Sequence, residues 1–126
     1  MKREYRLRSP ADFARVRDAS KRVWTHPLLV LYVAANDLEH ARFGITVSGR
    51  VGKAVVRNKV RRRVREALRA RLDQLTVGVD LVVVARPRSA AATWAELNVA
   101  LDHVLVRAGA TVAGRPDVSS STSAEC

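Results

Sequence analysis

The stretch from Arg50 to Arg71, RVGKAVVRNKVRRRVREALRAR, constrains this chain most, because it sets ten basic residues against a single acid, Glu66, on a helical apolar repeat. At about 100° per residue, Val56, Val60, Val64, Ala67 and Leu68 share one arc suited to lying on a sheet. Arg57, Asn58, Arg61, Arg62, Arg65 and Arg69 fill the neighbouring arc, roughly 140° wide, as one donor surface. Lys59 and Arg63 fall beyond it, beside Glu66, which is spaced to pair with Arg62 or Arg69. A guanidinium offers phosphate oxygens a planar fork of donors, and an asparagine both donates and accepts at a sugar or base edge. A merely solvated helix face would interleave acids with the bases, so this surface reads as one that meets phosphate.

The rest of the chain agrees with that reading. A net charge of +11 on 126 residues makes the molecule a polycation that attracts polyanions, nucleic acid first among them. A membrane surface is the weaker partner, since the basic helix lacks the Trp and Phe face of interfacial helices. The length suits one domain with an ordinary core. Cys126 is the only cysteine and stands last, which leaves no intrachain disulfide and suits a reducing cytoplasm. The charged start MKREYRLRSP has no apolar run after it, and Leu28 to Ala35 is too short to span a bilayer. The protein is therefore expected to be cytoplasmic, with no membrane partner.

Around the basic helix the pattern alternates between strand and helix. Ser9-Pro10-Ala11-Asp12 is a helix start, with Ser9 as N-cap, and Phe13 and Val16 share a face flanked by Arg15 and Arg17. Leu28 to Val33 and Phe43 to Val47 read as strands, and the short polar segment Asn36 to His40 predicts that they pair as an antiparallel hairpin. Val79 to Ala85 is a further strand reached only through the basic helix, which predicts a crossover and a mixed sheet. Thr93 and Glu96 form a capping box before the stripe Leu97, Leu101, Val104 and Leu105. Residues 1–109 make the domain, and the small polar residues of 110–126 are expected to be a disordered tail.

No protein-borne catalytic centre is expected. The acids are scattered, with no spacing that gathers them around a divalent cation, and His26, His40 and His103 stand without ligand partners. Asp80, opening its strand, reads as a structural cap, and Trp24 and Trp94 as core residues near element ends.

Arg57-Asn58-Lys59-Val60-Arg61-Arg62-Arg63-Val64-Arg65-Glu66, preceded by Val51-Gly52-Lys53-Ala54-Val55-Val56, resembles the signature of the bacterial ribonuclease P protein subunit. The likeness extends to Leu7, Asp12-Phe13 and Val16, to Phe43-Gly44-Ile45-Thr46-Val47-Ser48, and to Asp80 through Arg86. It implies an α+β, two-layer fold of the ribosomal protein S5 domain 2-like type, a mixed β-sheet in α-β-β-β-α-β-α order. It also implies a left-handed strand-helix-strand crossover, where general topology favours the right hand. It implies, further, a subunit of an endoribonuclease whose catalytic RNA removes the 5′ leader of precursor tRNA with Mg²⁺, the metal being held mainly by RNA and substrate. The partners would be that RNA and precursor tRNA, with no obligate protein partner.

By the same resemblance Arg50, Lys53, Arg57, Asn58, Lys59, Arg61, Arg62, Arg65 and Arg69 would face the catalytic RNA. Phe13, Val16, Arg17 and Tyr32 would form the leader cleft, which suits a single strand because aromatic rings stack on bases within a cationic surround. The chain departs from many relatives in carrying Arg17 where they have an aromatic, and Gly49 where they have a lysine, so its leader contacts lean on charge. Lys59 stands for a frequent arginine and lies off the main arc, so little is expected to be lost there. The residues alone leave open a ribosomal or other structured-RNA-binding protein, or a duplex DNA binder that lays its helix in the major groove. Because like charges crowd a small domain, sulfate should raise the melting temperature at matched ionic strength; a melting temperature indifferent to sulfate would contradict this.

Overall fold

Val79–Ala85 is apolar at six of its seven positions, so a strand made from it has no face to give to water. In the computed structural model, which describes residues 7, 9–20, 23–36, 38, 40–71, 75 and 78–109, that strand lies inside a four-stranded sheet. The elements are α1 (Pro10–Ala19), β1 (Val23–Thr25), β2 (Leu29–Ala35), β3 (Arg42–Val47), α2 (Ala54–Arg69), β4 (Val79–Ala85) and α3 (Trp94–Arg107). Short 3₁₀ turns at Gly49–Val51 and Pro87–Ala91 lead into α2 and α3. The strand order is β1-β2-β4-β3, with β2 antiparallel to β4 and β3 parallel to it.

The sheet is mixed, as expected, but the hairpin is not formed. β4 enters between β2 and β3, pairing Tyr32 with Val82 on one side and Gly44 with Val82 on the other. The placement goes with burial: Leu81, Val82 and Val83 are all completely buried, as suits a central strand with strands on either side and helices over both faces. β2 and β3 are thus separated by a strand instead of paired with each other. β3 is left at the edge.

The two faces follow from the alternation of side chains along a strand. Leu29, Leu31, Phe43, Val47, Leu81 and Val83 point to one face and pack with Val60, Val64 and Leu68 of α2 and Leu97, Leu101 and Leu105 of α3. This is the main core, and it confirms the apolar arcs of both helices. The Thr93–Glu96 capping box is present in both directions. On the opposite face α1 covers a smaller cluster of Val16, Ala34 and Val82, with Phe13, Tyr32 and Val84 against it. Ser9 caps α1 by accepting from the Asp12 amide at 3.1 Å. Arg71 closes the end of α2 onto α3 with Nε 2.7 Å and Nη2 3.1 Å from the Asp102 carboxylate. The expected tail at 110–126 lies outside the described residues.

Asp80 is the single charged side chain among the described residues that is fully buried, and its carboxylate joins three elements. It accepts from Arg42 of β3 at 3.0 and 2.8 Å, from Asn36 just past β2 at 2.7 Å, and from Arg15 of α1. Burial alone would raise its pKa, but the hydrogen bonds from Arg42, Asn36 and Arg15 outweigh it and hold the carboxyl below its ordinary value. A depressed folded-state pKa gives stability that is complete above the unfolded value and is lost as pH falls through the folded one. Asp80→Asn should therefore cost about 2 kcal/mol at neutral pH, less than the full cost of orphaning a buried charge. Arg15 and Arg42, whose side chains are 44% and 24% exposed, can turn to water. In urea unfolding, the gap between wild type and variant should close as pH drops below about 4; a gap independent of pH would contradict the assignment.

Candidate nucleic-acid interface

The basic helix carries its cations in two ridges, because residues four apart stack along a helix. Arg57, Arg61 and Arg65 form one ridge and are half-buried, Arg61 and Arg65 lining pockets at the edge of the sheet. Asn58, Arg62 and Arg69 form the other and are exposed, as is Lys59 beyond them. Asn58 accepts from Arg61 at 2.9 Å, and Glu66 pairs with Arg69 at 3.5 Å, so two links of weak surface type order the array. Arg63 is turned away from it and donates to the Ala92 carbonyl at 3.1 Å, which makes it a tie to the turn before α3. Arg50 and Lys53 are exposed at the start of the helix, Lys53 occupying the N-cap without a side-chain bond. The continuous arc expected from the sequence is thus one surface with two depths.

Phe13 stands on the other side of β3. Its ring lies over Gly44, so closely that a Cβ on Gly44 would fall 2.4 Å from the ring Cζ. Two adjoining pockets run along this edge. One is lined by Leu7, Phe13, Phe43, Gly44, Ile45, Arg61 and Arg65, the other by Pro10, Phe13, Arg17, Thr46, Val47 and Arg61 together with Ile45. The edge strand is therefore clasped between an aromatic and a cation from α1 and two cations from α2.

Of the expected leader residues, Phe13 and Arg17 reach this groove. Tyr32 packs against the same small cluster as Phe13 but lies on β2, with β4 between it and Gly44. Val16 is completely buried, so it supports the face from beneath and offers no surface. Trp24 is partly buried against the core as expected, whereas Trp94, expected in the core, is 46% exposed. Trp94 opens α3 on its outer side, where the first turn faces solvent. His26 and His103, isolated in sequence, meet edge to face at 5.7 Å. Burial, and then the neighbouring His103, lower the pKa of His26. Gly44 escaped the sequence reading, although a glycine inside an alternating strand is a signal of close approach. Among the described residues no group of three or more His, Cys, Asp or Glu is placed to hold a metal ion, and no helix is long and apolar enough to cross a membrane.

A mixed sheet that exposes a cationic helix beside an aromatic edge groove defines a small α+β protein with the surface of a nucleic-acid binder. The Ribonuclease P family model matches residues 1–109. The chain is 44% identical over 108 residues to the ribonuclease P protein component of Herpetosiphon aurantiacus, covering 86% of this chain and 87% of that one. It is 44% identical over 110 residues to the same component of Roseiflexus castenholzii, covering 86% and 89%. Its fold is similar to the Staphylococcus aureus RNase P protein at a TM-score of 0.78 with 32% identity, covering 84% and 96% of the two chains. The Thermotoga maritima RNase P protein matches at 0.73 with 28% identity, covering 81% and 96%. The chain belongs to the ribonuclease P protein family.

The Gly44 contact yields a test of how the groove is built. Gly44→Ala should destabilise the protein by about 1–3 kcal/mol, the usual cost of overpacking. In a Phe13→Ala background the same change should cost far less, since the two residues share one space. Thermal unfolding of the four proteins of this cycle gives the coupling; equal costs in both backgrounds would show that the ring does not rest on Gly44.

Proposed function

We propose that this protein is the subunit of ribonuclease P that docks on the catalytic RNA and retains the 5′ leader of precursor tRNA while the leader is removed. Membership of the family carries the role in tRNA processing, and the observation that supports the rest is the pairing of a cationic helix with an aromatic groove. Contacts from Arg50, Lys53, Arg57, Asn58, Lys59, Arg61, Arg62, Arg65 and Arg69 would fix the protein on folded RNA and make its binding salt-dependent. Phe13 and Arg17, with Tyr32 on the same face of the sheet, would hold an unpaired strand by stacking and charge.

Among the described residues no acidic cluster is placed to hold Mg²⁺, and the buried Asp80 carboxylate is engaged by Arg15, Asn36 and Arg42. The Mg²⁺ that hydrolysis requires is accordingly proposed to sit with RNA and substrate, and the chemical step to belong to the RNA. What this chain supplies is affinity and position, binding a leader-bearing substrate more tightly than the mature product. The finer reading of the fold, the S5 domain 2-like type with a left-handed β3-α2-β4 crossover, and a cytoplasmic location belong to the same proposal.

The test is single-turnover cleavage of a precursor tRNA by bacterial ribonuclease P RNA at low Mg²⁺, with and without the protein. Wild type should raise the rate, and Arg62→Ala/Arg69→Ala should need a higher protein concentration to do so. No stimulation by wild type would leave only a general structured-RNA binder.

A further inference from the structure

The two ridges of α2 do not face the same surroundings. Arg61 lines both pockets along β3, Arg65 lines one of them, and each pocket also holds Phe13. Among the described residues lining the two pockets, the charged ones are Arg17, Arg61 and Arg65. Arg17 adds a third cation from the α1 side. The outer ridge of Asn58, Arg62 and Arg69 is exposed and lines neither pocket.

Shape separates the partners these ridges suit. A convex, exposed row of donors can lie against the backbone of a folded RNA, where phosphates are presented outward. A groove at a strand edge with a half-buried ring inside admits a base only after that base has left its stack. Phe13 is held for such a base by its seat on Gly44, and the cations lining the groove among the described residues are Arg17, Arg61 and Arg65.

We infer that Arg61 and Arg65 grip phosphates of a single RNA strand lying along the edge of β3, with a base stacked on Phe13. They therefore belong to the substrate site and not to the face that meets the catalytic RNA. The basic helix is divided, Arg61 and Arg65 of its inner ridge serving the substrate and its outer ridge the RNA subunit. This rests on the leader-binding role proposed above and reassigns two residues within it.

The test uses holoenzyme assembled from bacterial ribonuclease P RNA and the full chain. Two affinities are measured: that of the protein for the RNA subunit, and that of the saturated holoenzyme for precursor tRNA relative to mature tRNA. Arg61→Gln/Arg65→Gln should lower the preference for precursor by about tenfold, the effect of losing roughly one net charge-assisted hydrogen bond. It should also flatten the salt dependence of precursor binding by about 1.4 in log–log slope, as expected for two single-strand phosphates. Its affinity for the RNA subunit should stay within about twofold, below the ~0.5 kcal/mol scatter of surface changes. Arg61→Lys/Arg65→Lys, which keeps the charge, should recover most of the preference. Arg62→Gln/Arg69→Gln should do the reverse, weakening assembly and sparing the preference. If wild type shows no preference for precursor, the leader-binding role and this inference both fall. If wild type shows it and Arg61→Gln/Arg65→Gln keeps it, or loses affinity for the RNA subunit instead, only the division of the helix is overturned.

Discussion

Everything in this fold depends on a strand that cannot touch water. β4 buries Leu81 and Val83 on one face and Val82 on the other, so it needs a neighbour on each side and a layer above and below. That requirement separates β2 from β3, places α2 and α3 over one face and α1 over the other, and pushes β3 to the rim. The rim position is what gives the molecule its groove, because a strand at an edge can be approached by helices from both faces at once. α1 delivers Phe13 and α2 delivers Arg61 and Arg65 to the same six residues of β3.

Apolar packing settles which elements touch, but the small cluster under α1 is thin. Asp80 supplements it. One carboxylate at the start of the central strand collects donors from α1, from the end of β2 and from β3, so a shift of any one of them breaks a bond to the same group. Its desolvation is offset only when all are in place, a geometry in which buried charge confers specificity of arrangement more than net stability. The position of α1, and with it the Phe13 ring, is tied to that arrangement.

Local signals made most of the elements legible in the sequence. Ser9-Pro10, the Thr93–Glu96 box and the valine ridge of α2 each act within a few residues, and each appears in the structure as read. Pairing of strands was not legible, because Leu28–Val33 and Phe43–Val47 are joined by a short polar link that looks like a turn. What overrides the link is the two-sided burial of a strand more than thirty residues later in the chain. In the same way the wheel placed Arg57, Arg61 and Arg65 with Asn58, Arg62 and Arg69, since it records angle and not what lies opposite. Only the edge of β3 distinguishes the two ridges. Trp94 was misplaced for the complementary reason: a large ring near a helix start fits the core by composition, but its turn faces outward.

The edge strand also has a length. β3 has six residues, which at about 3.3 Å each gives a wall roughly 20 Å long. A strand of RNA stacked at about 3.4 Å per nucleotide would run out of wall after about six nucleotides, and sooner if it is drawn out. On the proposed role the groove would be a ruler as well as a clamp: it would hold a short segment of fixed extent, and nucleotides beyond either end would hang free of it whatever their sequence. A protein built this way can serve many substrates that differ in the length of what they carry, because it measures only the part that lies within its span.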